Sequence, residues 1–191
     1  ITLYLKVKNM DAKMKGMMMT AMVVLSLVLG LLAVLGSSWM TAEEDGMEAN
    51  YSLSEVEAKA DVLGQEMTIE MDYAEACEDS EDDEPCELAT AGTIGTIGLW
   101  VGIVMAGVFA AMMILPMAGI DAMDGMPDLA QKIVSWGAGG MMLLGAIGWL
   151  ILKPEMDDDA ISLGMSFFMA IIAGVLGLAA PAMGMLVAAD E

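Results

Sequence analysis

Four stretches of this 191-residue chain carry no charged side chain: residues 16–42, 88–120, 133–152 and 160–189. A helix of about 20 apolar residues covers the ~30 Å hydrocarbon core of a bilayer. Backbone polar groups in hydrocarbon must pair within their own segment, so such stretches read as helices. The fold class expected is all-α membrane: a four-transmembrane-helix bundle, with spans at about 17–38, 93–116, 133–152 and 160–187. The one long polar segment, residues 41–87, is expected to form a small disulfide-closed, β-rich extracellular loop domain.

The chemistry available to the chain is narrow. It has neither His nor Arg, which excludes Ser-His-Asp and Cys-His catalysis and histidine-ligated metals. A net charge of −21 would repel a phosphate backbone, so nucleic acid is not an expected partner. The polar part is too small for a separate catalytic domain, and no enzyme activity or cofactor is expected.

Lys6, Lys8, Lys13 and Lys15 precede the first apolar segment, and Met10 is a plausible native start that would make residues 1–9 dispensable. A cleaved signal peptide ending near Gly36-Ser37-Ser38 is the alternative to a retained helix. The apolar run over residues 17–35 is longer than the usual signal core of 7–15 residues, which favours the helix.

Residues 41–87 hold 18 of the 28 acidic residues and one base, Lys59. Met47, Ala49, Tyr51 and Leu53 alternate with polar residues, then Val56, Ala58, Ala60 and Val62, then Met67, Ile69, Met71 and Tyr73. Period two predicts half-buried antiparallel strands, with Gly64 at a turn. The middle run also fits a short helix, through Leu53, Val56, Ala60 and Leu63, and the acidity leaves disorder as a competing outcome.

Cys77 and Cys86 are the only cysteines. They can be free thiols, half of a zinc site or a disulfide. Zinc lacks its further ligands, and a location outside the cell favours the disulfide. The same location suits the Asn50-Tyr51-Ser52 glycosylation sequon.

Glycine punctuates the apolar stretches. Gly98 and Gly102 form a G-x-x-x-G pair, and Ala170 with Gly174, Ala173 with Gly177 and Ala180 with Gly184 repeat small residues four apart. Such faces let helix backbones approach closely. Trp136 and Trp149 are expected to anchor the ends of the third span at the membrane interface. Pro127 is placed to open that helix, Asp157, Asp158 and Asp159 to lie at the N-terminus of the fourth, and Pro181 to kink it. Five lysines against two place both termini in the cytoplasm and the large loop outside, with the cell membrane as the expected location.

Two metal readings are weak. Twenty-three methionines can offer thioethers to Cu(I), through Met14, Met17, Met18, Met19 and Met22 or the Met165–Met169 pair, but chance supplies such spacings. Asp79-Ser80-Glu81-Asp82-Asp83-Glu84 lacks the glycine turn of a calcium loop, so diffuse attraction of cations is expected there and no resident metal.

This layout resembles the claudin and peripheral-myelin-protein group of tetraspan proteins. The resemblance is carried by four helices, a cysteine-paired first loop with strand patterns, a short second outer loop and Trp39 just past the first span. It departs from the group in placing Gly98-Leu99-Trp100 after both cysteines and inside the second span, and in lacking the arginine before that span. It implies a structural or adhesive role with self-association. The expected function is non-enzymatic: membrane adhesion or complex assembly with its own kind or other membrane proteins. The alternative is a cation channel or transport component with an acidic mouth.

Overall fold

The computed structural model describes residues 12–44, 47–62, 65–80, 83–120, 126–154 and 161–188. Residues 1–9, Gly64, Glu81, Asp82, Asp121, Asp124 and Asp157 to Asp159 therefore lie outside the described residues. Helix α1 (Ala12–Leu35) leads into strands β1 (Met40–Glu44), β2 (Met47–Tyr51), β3 (Glu55–Val62) and β4 (Gln65–Asp72). There follow a short helix α2 (Tyr73–Asp79), α3 (Glu84–Ile114), a 3-10 turn (Pro116–Ala118), α4 (Asp128–Leu152), β5 (Ile161–Leu163) and α5 (Met165–Ala188). Four of these helices, α1, α3, α4 and α5, are long and apolar enough to cross a membrane.

The long helices close into a ring in which α1 neighbours α3 and α5, and α4 neighbours the same two from the far side. Their interfaces are built on missing side chains. A Cβ added to Gly98 would stand 2.5 Å from the Gly145 Cα, and one at Gly102 would meet the Met142 side chain at 2.5 Å. Gly177 of α5 lies as close to α4, where an added Cβ would be 2.7 Å from the Gly139 Cα. Gly174 faces Leu143 and the Gly139 carbonyl, while Ala170 and Ala173 are fully buried. Close dispersion contact of this kind holds the helices together at these glycines. Met142 fills the middle of the ring, within reach of Gly30, Gly102 and Ser26. Buried Ser26 donates to the Ala173 carbonyl at 2.6 Å and so ties α1 to α5.

The five strands form one antiparallel sheet in the order β4-β3-β2-β1-β5. The alternating runs are strands, and the Ala-rich middle run is β3 rather than a helix. One expectation needs correcting. The fourth span does not begin at residue 160, because Ile161–Leu163 pairs with β1 and the helix starts at Met165 with no acid in its first turn. The helix that carries the expected second span starts at Glu84, with Pro85 and the acids Glu84 and Glu87 in its first turn, where the helix dipole favours them. The polar loop is accordingly not self-contained: its sheet is completed by a strand from the connection between α4 and α5. Pro127 stands at the N-cap position of α4, immediately before its first residue and without a side-chain capping bond, and α5 runs on through Pro181.

Candidate functional site

The sheet is fixed to the helices first at Trp39. The Trp39 amide donates to the Tyr51 carbonyl at 2.7 Å, and the Gly164 amide donates to the Trp39 carbonyl at 2.9 Å. The indole Nε1 donates to the Ala33 carbonyl at 2.9 Å, which satisfies a carbonyl in the last turn of α1. Its ring packs edge-on against Trp149 at 5.0 Å and Phe167 at 6.1 Å, joining the ends of α4 and α5. Trp149 is therefore a core residue, 1% exposed, and not the interfacial anchor expected of it; Trp136 is half-buried. A second fixing point lies on α3, where a Cβ on Gly92 would collide with the Leu53 carbonyl, so only glycine lets the β2–β3 connection rest on that helix.

Register divides the sheet into two chemically different faces. One carries Met40, Tyr51, Val56, Met71 and Leu163, then Ala42, Ala49, Ala58, Ile69 and Ile161, then Met47, Ala60 and Met67. The other carries Thr41, Asn50, Glu57 and Glu70, with Glu43, Glu48, Lys59 and Thr68 beside them. Lys59 pairs with Glu57 at 3.0 Å, and Thr41 and Ser162 share a hydroxyl hydrogen bond at 2.9 Å. The first apolar row packs onto the helix core through Met40, Tyr51, Val56 and Leu163, Ile161 of the second row joins it, and Met47, Met67, Ile69 and Met71 are exposed.

Helix α2 hangs from the sheet. The Asp72 carboxylate accepts from the amides of Ala74 at 2.8 Å and Glu75 at 3.2 Å, an N-terminal cap. Tyr73 is buried where β4 meets α2, with its amide donating to the Ser54 carbonyl. Burial, with Tyr51 and Glu55 adding, pushes its hydroxyl above the ordinary tyrosine range. Cys77 of α2 and Cys86 of α3 are joined in a disulfide, Cα to Cα 4.7 Å, which clips α2 to the first turn of α3. Between β4, α2 and that turn runs an open groove of about 550 Å³ that includes Glu70, Asp72, Glu75 and Asp79.

The remaining sequence candidates are dispersed. Asn50 lies on β2 with its side chain engaged, accepting from Ser38 and donating to Glu48, each at 3.3 Å. Met165 is exposed while Met169 packs on the core, so the two thioethers of that pair do not converge. Among the described residues no three Cys, Asp or Glu side chains gather as metal ligands. Gly98-Leu99-Trp100 splits, with Leu99 buried and Trp100 partly exposed. Sequence reasoning missed β5, the aromatic trio and Ser26. Ile161-Ser162-Leu163 is too short an alternation to mark β5, and nothing in the apolar text around Trp149 or Ser26 marks either as a junction. No protein-family model matches this chain, and no curated protein matches it either.

Proposed function

We propose that the chain is an integral membrane protein that crosses the bilayer four times, with both termini inside, and holds its sheet outside as a rigid assembly surface. The role is structural or adhesive, non-enzymatic, and akin to that of the claudin and peripheral-myelin-protein group. The observation that carries this reading is the fixing of the sheet to the helices: Trp39, the β1–β5 pairing and the Gly92–Leu53 contact give it one orientation on the bundle. A surface held at a set angle to the membrane is what a contact-making protein needs, since ordering it beforehand lowers the entropy lost on association. The centre of the helix ring is filled by Met142, Leu99, Ile103 and Ala138, which favours a packing role over a lumen through a single copy.

Purified protein in liposomes tests the reading against the channel alternative. No selective cation flux is expected, and a selective, voltage-responsive conductance would overturn it. Orientation is tested separately: a membrane-impermeant thiol reagent should label Cys77 and Cys86 on intact cells only after reduction. Labelling that requires permeabilised cells would place the sheet inside.

A further inference from the structure

Strand β4 is the open end of the sheet, eight residues long, with β3 on one side and no strand hydrogen-bonded on the other among the described residues. Its apolar side chains Met67, Ile69 and Met71 are 52%, 60% and 49% exposed, although they continue the apolar rows of the face. Folded proteins ordinarily shorten, bend or cover an edge of this length, because its free amides and carbonyls recruit another strand. The groove beside its last residues joins Met71 and Pro85 to the carboxylates of Glu70, Asp72, Glu75 and Asp79, with no base in its lining.

We propose that the β4 edge binds an extended segment of another protein, in which apolar residues alternate with Lys or Arg, as a sixth strand. This rests on the assembly reading above and names its partner's chemistry. Backbone hydrogen bonds to β4 supply affinity, and alternate side chains supply selectivity. Every second residue of the incoming strand falls beside Met67, Ile69 and Met71 and extends the apolar face. The residues between emerge on the face of Glu70 and Asp72 and over the groove, where carboxylates favour a cation. Charge argues against a second copy as the occupant. Antiparallel pairing of β4 with itself sets acidic residues of two chains side by side, each chain carrying a net −21, and like charges directly opposite destabilise a strand pair. The Cys77–Cys86 bond holds α2, and with it Glu75 and Asp79, against α3 as the far wall of the groove.

The test uses the full chain in nanodiscs and a fluorescent peptide that alternates Lys and Val. Comparators are a peptide of the same composition with its lysines and valines in separate blocks, and an alternating Glu-Val peptide. Only the Lys-Val alternation is expected to bind saturably at moderate salt. Ile69→Lys, at a position already in solvent, should weaken it about tenfold. Reversal of the groove charge in a Glu70→Lys, Glu75→Lys, Asp79→Lys triple variant, which keeps only the capping Asp72 among the groove carboxylates, should exchange the preference, so that the Glu-Val peptide binds instead. That gain of binding also shows that the variant is folded. Equal binding of the alternating and blocked lysine peptides would reduce the effect to diffuse charge attraction and overturn the proposal, as would failure of the Lys-Val peptide to bind. Efficient cross-linking between copies through Ile69→Cys would overturn it in favour of self-pairing while leaving the assembly reading intact. Ion conductance in the flux assay would instead remove the assembly reading, independently of any peptide result.

Discussion

The helix body and the sheet are held together by opposite devices. In the body, charge is absent from the central spans and contact is made where side chains are missing: Gly98 on Gly145, Gly177 on Gly139. In the sheet, glycine is nearly absent and contact depends on period-two register, a few polar anchors and one covalent clip. The body is thus sensitive to added volume and indifferent to pH and redox state, while the sheet is sensitive to charge, reduction and the loss of single anchors.

The largest effects should come from breaking the junction and the glycine contacts. Trp39→Ala removes a fully buried indole that serves both regions and should cost about 3–5 kcal/mol, read as a fall in thermal midpoint in detergent. Gly98→Leu should cost about 3 kcal/mol by forcing α3 from α4, and Gly102→Leu similarly. Gly140 is the internal control: an added Cβ there meets nothing within 4 Å, so Gly140→Ala should be neutral or stabilising by up to about 1 kcal/mol through helix propensity. Equal behaviour of Gly98 and Gly140 variants would dissolve the distinction between packed and open glycines.

Reduction comes next. Opening Cys77–Cys86 should cost the sheet region about 2.5 kcal/mol through regained chain entropy, because the closed loop is short, with a sequence separation of 9. Hydrogen exchange should then rise in α2 and stay unchanged in the α3–α4 interface. A rise in both would mean that clip and body are one cooperative unit.

A smaller effect is expected from pH. The folded pKa of Tyr73 is raised, so its contribution is fully present below the unfolded value near 10.0 and is lost as pH climbs above it. Tyr73→Phe should therefore flatten the fall in stability at alkaline pH without changing it at neutrality. Matched curves for both proteins would leave burial of the hydroxyl without consequence.

Smallest is the response to salt. Screening over about 10 Å at 0.1 M should steady the sheet's carboxylates, with calcium and monovalent salts equivalent at matched ionic strength. Saturable stabilisation at micromolar calcium, lost in an Asp82→Asn, Asp83→Asn variant, would turn the acidic region into a specific cation site.

Much of the architecture was legible because its signals are local. Strands β2, β3 and β4 follow from alternation at Met47, Val56 and Met67, and the long helices from runs without charge. The Gly98 and Gly102 spacing pointed to a packing face, and its partner face at Gly145 was invisible, since one glycine among several in α4 carries no mark of which neighbour it meets. Strand β5 was hidden because three residues adjoining an apolar run give period two too little length to register. Trp149 was misread because an aromatic near the end of an apolar helix has the same sequence signature whether it faces lipid interface or core.

The sequence by itself determined the four apolar helices, the acidic segment and the alternation within it, since hydropathy and period are properties of neighbours along the chain. The tertiary structure alone decided that the sheet is closed by a strand from the other connection, that Trp39 joins two helix ends, and that β4 is left open with Met67, Ile69 and Met71 in solvent. Those outcomes depend on which surfaces reach one another across more than a hundred residues of chain, as Thr41 and Ser162 do with a separation of 121, and no local pattern encodes that meeting.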